Sequence, residues 1–133
     1  MLYMLDTDIC AFIARQRSPR VTDRFQSHRK GDLAMSVVTL GELRLGAEKS
    51  DRYPRTLKAL ELFVQVVPVI PLDPEVANFY AKVRLDLERR GKIIGANDLW
   101  IASHCLQLGL TLVTNNEREF RRIPNLPIEN WTK

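Results

Sequence analysis

The chain has 133 residues, of which 45% are hydrophobic and 27% are charged. This is the composition of a globular protein, and it excludes a disordered, collagen-like or coiled-coil chain, while the length favours a single domain over residues 1–133. The net charge of +4 is a mild basic excess that favours polyanionic partners.

Short apolar segments alternate with segments of helical periodicity along the chain. Residues 2–5 form the first predicted strand, which ends at Asp6, and Thr7 or Asp8 can cap the helix that follows. Further strands are predicted at residues 33–38, 66–72, 110–113 and 127–128, and helices at residues 9–13, 19–30, 39–47, 53–64, 74–90, 97–108 and 117–120. Pro68 and Pro71 favour an edge position for the third strand.

Two of the predicted helices have a distinct apolar face. In the helix at residues 74–90 this face consists of Val76, Tyr80, Val83 and Leu87. In the helix at residues 97–108 it consists of Ile101, Ala102, Cys105 and Leu106. His104 falls outside that stripe, so we expect it at the surface, and we interpret Trp100 as a core or subunit-interface residue.

Strands that alternate with helices predict the α/β fold class. The expected architecture is a three-layer α/β/α sandwich around a central, mostly parallel sheet of four to five strands. In such sheets, ligands bind outside the carboxyl ends of the strands, near the point where the strand order reverses. The chemistry of this chain is therefore expected at that edge.

Three acidic residues occupy positions that are unusual for surface groups. Asp6 directly follows the first strand, and Asp98 opens a helix and shares the face of its apolar stripe. Glu42 borders an inward face of its helix, where Gly46 would allow close packing. The structural alternatives are a helix cap for each aspartate, including Asp8, and a solvated or salt-bridged side chain for Glu42.

A polar turn, Thr114-Asn115-Asn116, follows the strand at residues 110–113, and Glu119 lies just beyond it. Like the acids, this turn is expected at a carboxyl strand end, although asparagines are also common as simple turn residues. Two carboxylates about 4 Å apart repel by about 4 kcal/mol at an effective dielectric constant near 20, so a cluster needs raised pKa values or a cation. Oxygen ligands favour Mg²⁺ or Mn²⁺, and such a site with basic surroundings indicates phosphodiester hydrolysis.

Four segments resemble, in order, the motifs of PIN-domain nucleases. They are residues 4–10 (MLDTDIC), 39–47 (TLGELRLGA), 97–102 (NDLWIA), and 112–116 (LVTNN) with Glu119 and Phe120. Together they cover nearly the whole chain, and the VapC-type toxins of bacterial toxin–antitoxin pairs are the most similar members. The resemblance implies a PIN-like fold and a Mg²⁺-dependent endoribonuclease, with Mn²⁺ as the alternative ion and structured RNAs such as tRNA as substrates. A metal-activated water would attack the RNA phosphodiester.

The resemblance also assigns roles to individual residues. It makes Asp6 and Asp98 the metal ligands and Glu42 the third catalytic acid. Many relatives have an aspartate where this chain has Asn116, which would hold a water here while Glu119 compensates for the lost charge. Supporting roles are expected for Asp8, Thr114, Asn115 and Glu119.

The motif resemblance and the basic residues both indicate binding partners. Four basic side chains are expected to contact the RNA backbone: Arg15, Arg84, Arg89 and Lys92. The alternative is a solvated basic surface. The resemblance implies a cognate antitoxin that covers the acidic pocket, and a homodimer within a larger toxin–antitoxin assembly. With only two cysteines and no run long enough for a membrane span, we expect a cytoplasmic protein without a membrane partner.

Two other functions remain open from the sequence. Asp6-Thr7-Asp8 after an apolar strand is similar to the nucleophile motif of haloacid dehalogenase-type phosphatases, but Cys10 departs from that motif and a clear catalytic lysine is missing. The second alternative is a non-catalytic RNA-binding module that keeps the PIN fold, which the amide at Asn116 would favour.

Overall fold

The computed structural model describes all 133 residues, Met1 to Lys133. It contains five short strands, β1 (Tyr3–Leu5), β2 (Leu33–Ser36), β3 (Val69–Ile70), β4 (Thr111–Val113) and β5 (Ile128–Glu129). Seven α-helices connect and follow them: α1 (Thr7–Arg15), α2 (Pro19–Gln26), α3 (Val37–Glu48), α4 (Tyr53–Val66), α5 (Val76–Arg89), α6 (Ala96–Leu108) and α7 (Glu117–Phe120). None of these helices combines the length and the hydrophobicity of a membrane span.

The strands form one sheet in the order β3-β2-β1-β4-β5, and every neighbouring pair is parallel. This confirms the predicted α/β class and the parallel sheet. The central strand β1 pairs with β2 on one side and with β4 on the other. The strand order reverses there, so the carboxyl ends of β1 and β4 flank the position where parallel sheets bind ligands.

Two apolar cores lie on the two faces of the sheet. Met4 and Leu112 belong to the core that α5 and α6 complete, whereas Leu5 and Val113 belong to the core that α1, α2 and α4 complete. Successive residues of a strand point to opposite faces, which explains this division. The result is the predicted three-layer sandwich, with β1 buried at its centre.

Several predicted boundaries are wrong by a few residues, and side-chain capping explains two of them. The strand predicted at residues 33–38 ends at Ser36, whose Oγ accepts a hydrogen bond from the Val38 N–H at 3.1 Å and so starts α3 before Thr39. The helix predicted from Pro74 begins at Val76, because Asp73 caps a separate turn by accepting from the Glu75 N–H at 2.8 Å. The strand at residues 66–72 shrinks to β3, although its edge position is confirmed.

Three predictions about the helices that carry or follow the acidic residues, α1, α3 and α6, are wrong. Neither Thr7 nor Asp8 caps α1, because the Asp6 carboxylate does so. Asp98 does not cap α6, which begins two residues earlier with Gly95 at the cap position. Gly46 does not serve close packing: it is exposed, and a Cβ built there would meet no atom within 4 Å.

His104 is fully buried, contrary to the surface position expected for it. In the middle of α6 the five consecutive residues 101–105 are all buried, so this part of the helix has no solvated face on which a polar residue could lie. The His104 ring instead forms a hydrogen bond through Nδ1 with Ser36 Oγ at 2.8 Å. A buried serine at the end of β2 thus provides the polar partner that α6 requires.

The two tryptophans have different environments. Trp131, near the C-terminus, is fully buried and stacks on His28 with 5.2 Å between ring centroids. Trp100 is half-buried and stacks on Tyr80 of α5 with 3.9 Å between centroids. Each ring therefore fastens a late part of the chain to an earlier helix or turn.

Candidate functional site

Asp6 lies at the carboxyl end of the central strand, where the fold places ligands. Its side chain is only 4% exposed, and its backbone N–H donates to the Val113 carbonyl at 3.0 Å, which joins the ends of β1 and β4. Oδ1 accepts from the Ile9 N–H at 3.0 Å. One carboxylate thus caps α1 and stands at the reversal point of the sheet.

Asp98 approaches the same edge from the first turn of α6. It is half-buried, and its Oδ2 atom lies 3.9 Å from the position that a Cβ at Gly95 would take. At that distance a Cβ would make only ordinary van der Waals contact, so the carboxylate does not require glycine at the cap position. Its side chain remains partly accessible, unlike that of Asp6.

Glu42 connects the helices that carry the two aspartates. Thr7 Oγ1 of α1 donates to Glu42 Oε1 at 2.5 Å, and Asn97 Nδ2 of α6 donates to Glu42 Oε2 at 3.4 Å. Thr7 adjoins Asp6 in the chain, and Asn97 adjoins Asp98. The Glu42 carboxylate is therefore hydrogen-bonded to a sequence neighbour of each aspartate. The sequence predicted that these three acids meet at one edge of the sheet, and they do so in the structure.

The pKa values of both aspartates are raised, mainly by burial and in smaller part by the charges of the neighbouring acids. Burial raises the pKa of Asp6 to about 7, and the charges of Asp8 and Asp98 add to this effect. Hydrogen bonds from the Thr114 side chain and the Ile9 backbone work in the opposite direction. Burial likewise raises the pKa of Asp98 to about 6, with further contributions from Glu42, Glu119 and Asp8.

No protein cation neutralises this cluster. All six ion pairs of the structure involve other carboxylates, on α5, α7, β5 or the turn before β2. A group of acids that repel one another without a counter-charge favours binding of an external cation. The predicted alternative of a salt-bridged Glu42 is therefore not what the structure contains.

The donor set fits a hard divalent cation held by few protein ligands. No three His, Cys, Asp or Glu side chains are close enough to form a ready-made metal centre. Mg²⁺ does not need one, because it keeps several waters and commonly binds through one or two carboxylates. Asp6 and Asp98 could supply such a pair with oxygen donors only, and Glu42 is engaged by Thr7 and Asn97 beside them.

The turn after β4 reaches the same edge through Asn116 and Glu119. Asn116 donates from Nδ2 to Glu119 Oε2 at 2.9 Å, and its backbone N–H donates to Thr114 Oγ1 at 2.8 Å. The Glu119 charge is one of those that raise the pKa of Asp98. Asn115 faces away, because its Oδ1 accepts from Asn130 and Thr132 of the C-terminal segment.

The four basic side chains expected to bind RNA are not all near the acids. Arg15 is the last residue of α1, about 12 Å along the helix from its first residue beside Asp6. Arg84 is exposed on α5 and bonds to Glu88 Oε2 at 3.0 Å and to the Tyr80 hydroxyl at 2.6 Å. Arg89 and Lys92, near the end of α5, are exposed and belong to no ion pair.

Sequence reasoning missed the polar side chains that support Glu42. Thr39 is fully buried, and Thr7 Oγ1 lies 3.4 Å from Thr39 Oγ1 as well as against Glu42. The signal was available, because Thr39 and Glu42 are three residues apart and so share a face of α3. Thr7 beside Asp6, together with Thr39 on the same helix face as Glu42, is the pattern that would have indicated this contact.

Comparison with known proteins gives a consistent result. The PIN domain family matches residues 3–126 of the chain. Ribonuclease VapC2 of Rickettsia felis is 39% identical over 134 residues, which span all of both chains. The tRNA(fMet)-specific endonuclease VapC of Shigella flexneri is 40% identical over 130 residues, 98% of each chain. The solved structure of VapBC2 from Rickettsia felis, bound to a DNA fragment from their promoter, is similar with a TM-score of 0.92 and 38% identity over 98% of this chain and 99% of that one.

Proposed function

The chain belongs to the PIN-domain family, among the VapC ribonucleases, and from that premise we propose that it is the toxin of a type II toxin–antitoxin pair that hydrolyses RNA phosphodiester bonds. The observation that carries this proposal is that the acid that follows β1 meets the acids of α3 and α6 at one sheet edge, with no protein cation among them. Nothing in the fold or the relatives favours the phosphatase alternative.

We propose Mg²⁺ as the ion, with Mn²⁺ as a substitute, and Asp6 and Asp98 as the residues that hold it. A bound divalent cation would supply Lewis acidity toward a phosphodiester and make a nearby water more acidic. The raised pKa values of both carboxylates support this assignment, because burial and, to a lesser extent, the neighbouring acids disfavour their charged forms, and a bound cation would offset both effects.

The remaining polar groups orient the reactants. Glu42 is fixed by Thr7 and Asn97, so its carboxylate can accept a hydrogen bond from the attacking water in a defined direction. Asn116 uses its amide N–H on Glu119, which leaves its carbonyl oxygen to accept from water. The amide thereby performs the positioning role without adding another negative charge.

Substrate and partners are proposed from the same membership. We propose structured RNA such as tRNA as the substrate class and, with it, a cytoplasmic location. A cognate antitoxin is proposed to cover the acidic edge, where a basic side chain could replace the charge of the ion. A homodimer within the larger assembly completes the proposal, and exposed apolar side chains on α4, Leu62 and Val66, offer contact surface.

The test is cleavage of total cellular RNA and of purified tRNA by the isolated chain, with Mg²⁺ or with EDTA. Asp6→Asn and Asp98→Asn should each reduce cleavage by at least about 100-fold, since each removes a charge that the ion requires. Asp86→Asn on α5 is the matched control, because its carboxylate forms an exposed ion pair with Arg90. Cleavage by folded Asp6→Asn and Asp98→Asn proteins at the wild-type rate would contradict the proposal, and RNA binding without any cleavage would favour a non-catalytic module.

A further inference from the structure

A small apolar cavity lies beside the acidic edge, between the second half of α5 and the start of α6. Its volume is about 160 Å³, and its lining residues are Arg84, Leu87, Ile93, Ile94, Ala96 and Leu99. Arg84 is the single charged residue among them. The roles proposed above for the acids leave this cavity without a function.

The cavity adjoins the proposed metal ligand Asp98. Ala96 and Leu99 of its wall lie two residues before and one residue after Asp98 in α6. The Cα atoms of Ala96 and Asp98 are therefore within about 8 Å of each other. Gly95 lies between the wall residues Ile94 and Ala96, and the Asp98 Oδ2 atom is 3.9 Å from the position of a Cβ on Gly95, so this carboxylate lies against the stretch of chain that forms the wall.

Two hydrogen bonds fix the loop that forms the outer wall of the cavity. Ile93 is 61% exposed, the largest exposed fraction among the large apolar side chains. Its carbonyl accepts from Arg122 Nη1 at 3.0 Å, and the adjacent Lys92 N–H donates to the Leu87 carbonyl at 2.8 Å. The loop is thus fixed on both sides of an isoleucine that presents apolar surface to the outside.

We propose that this cavity is a subsite for one nucleobase of the RNA strand, next to the cleaved bond; the inference rests on the proposed function. The volume agrees with a single ring system, because a cavity of about 150 Å³ with aliphatic walls is enough to hold benzene. RNA is commonly recognised through unstacked bases that enter such pockets. The aliphatic walls contact the faces of the ring.

Charged groups at the rim favour RNA over other occupants. The Arg84 guanidinium is held by Glu88 and by the Tyr80 hydroxyl, and its remaining N–H groups can donate to the carbonyl or ring nitrogen of a base. Lys92, next to the wall residue Ile93, and Arg89 near the end of α5 are exposed without an ion pair and are available to RNA phosphates. An apolar side chain alone would fill the cavity without neutralising these cations, whereas a base with its flanking phosphates does both.

Three single substitutions test the subsite. Ala96→Leu fills the cavity from an exposed helix position, and Ile93→Ala removes its outer wall. Leu85→Ala is the control, because Leu85 is 47% exposed on the same helix α5 and does not line the cavity. Circular dichroism and thermal unfolding establish that all three variants are folded.

Binding is measured in EDTA with fluorescein-labelled ten-nucleotide strands of A, C, G or U, and cleavage positions are mapped on total RNA with Mg²⁺. We expect the wild type to prefer one base by about tenfold, and both cavity variants to lose that preference and about tenfold of affinity for the preferred strand. Leu85→Ala should stay within about twofold of the wild type. Base preference in the mapped cleavage positions should disappear in the same two variants.

The failures of the two proposals are distinguishable. A wild type that binds all four strands equally, or cavity variants with unchanged base preference, would overturn the subsite while cleavage itself stands. Variants that weaken only antitoxin binding or dimerisation, with RNA binding unchanged, would overturn it in favour of a protein occupant. A wild type that prefers one base but cleaves nothing would support the subsite and refute the nuclease.

Discussion

Asp6 shows that a helix cap and a position in an acidic cluster are compatible in one side chain. Its Oδ1 caps α1, yet the same carboxylate has a pKa of about 7 because it is buried among other acids. The cap explanation considered for this residue was therefore correct in geometry, but it does not exclude a role at the acidic edge. Substitution can separate the two roles, because asparagine also caps helices.

Asp6→Asn should preserve the cap and remove the charge, whereas Asp6→Ala should remove both. We expect Asp6→Asn to unfold at the same temperature as the wild type or higher in EDTA at pH 7.5. Asp6→Ala should be less stable than Asp6→Asn by about 1 kcal/mol, the usual worth of an N-cap. Urea unfolding of the three proteins measures this difference, and equal stability of the two variants would show that the cap contributes nothing.

Thr7 offers a prediction about catalysis without a change in charge. Thr7→Val keeps the shape of the side chain but removes the hydroxyl that donates to Glu42 Oε1. We expect RNA cleavage to fall by about tenfold, because Glu42 loses part of what orients it, while Mg²⁺ affinity changes little. Thr22→Val on α2, also half-buried but distant from the acids, should leave cleavage unchanged; a loss as large in that control would point to a general effect of the substitution.

At the scale of elements, the acid-bearing helices are fastened to each other by buried polar contacts. Ser36 ends β2 and caps α3, and its Oγ also bonds to His104 of α6. His104 has a lowered pKa because it is buried, so it is neutral in the folded protein. The contact therefore links α3, which carries Glu42, to α6, which carries Asp98.

Ser36→Ala should destabilise the protein by about 1–3 kcal/mol, because it removes the cap of α3 and leaves His104 Nδ1 buried without a partner. Ser18→Ala is a suitable comparison, since Ser18 also caps a helix but without a second buried partner, and it should cost about 1 kcal/mol. The free energy of unfolding from urea titration gives both values. Equal costs for the two serines would mean that the His104 contact contributes little.

Sequence patterns predicted which elements exist better than where they begin. The end of β1 just before Asp6 and the start of α4 at Tyr53 agree with prediction, because an apolar run or a proline marks each boundary. The start of α3 was misplaced because the capping role of Ser36 depends on local geometry that the sequence does not display. His104 was misplaced because the stripe rule assumes a helix with one solvated face, and α6 has none along its middle.

At the scale of the whole molecule, sequence order already indicated that distant acids would meet. Parallel strands bring their carboxyl ends to one edge, so Asp6 and the turn at Asn116 had to be neighbours once the sheet was parallel. The contacts of Glu42 with Thr7 and Asn97 could not be predicted, because they depend on how α3 is packed against α1 and α6. The assignment of Asp6 and Asp98 to a metal ion remains a prediction.

The acidic edge should make the stability of the ion-free protein depend on pH. The folded-state pKa of Asp6 is raised to about 7, so the folded chain binds the proton more tightly than the unfolded chain does. This contribution is fully present below about pH 4 and is lost as pH rises to about 7, by an amount on the order of a few kcal/mol. Asp98, with a pKa of about 6 and a partly accessible side chain, adds a smaller effect of the same sign.

Urea unfolding in EDTA at pH 5 and pH 8 measures this effect, with Asp6→Asn as the control in which it should be reduced. Addition of Mg²⁺ should stabilise the wild type more at pH 8 than at pH 5, because only the ionised carboxylates bind the ion. Stabilisation by Mg²⁺ that is equal at both values, or equal in Asp6→Asn, would refute this account of the acidic edge.

The unlike surroundings of the two indole rings give the chain an internal optical reporter. Trp131 is sealed inside the protein, so a water-borne quencher such as iodide should leave its emission almost unchanged. Trp100 is partly open and stacks on Tyr80, whose hydroxyl accepts from the Arg84 guanidinium at the cavity rim. Iodide quenching of the native protein's fluorescence therefore reports on Trp100 and its surroundings at α5 and α6. It can detect a ligand in the cavity without an attached dye.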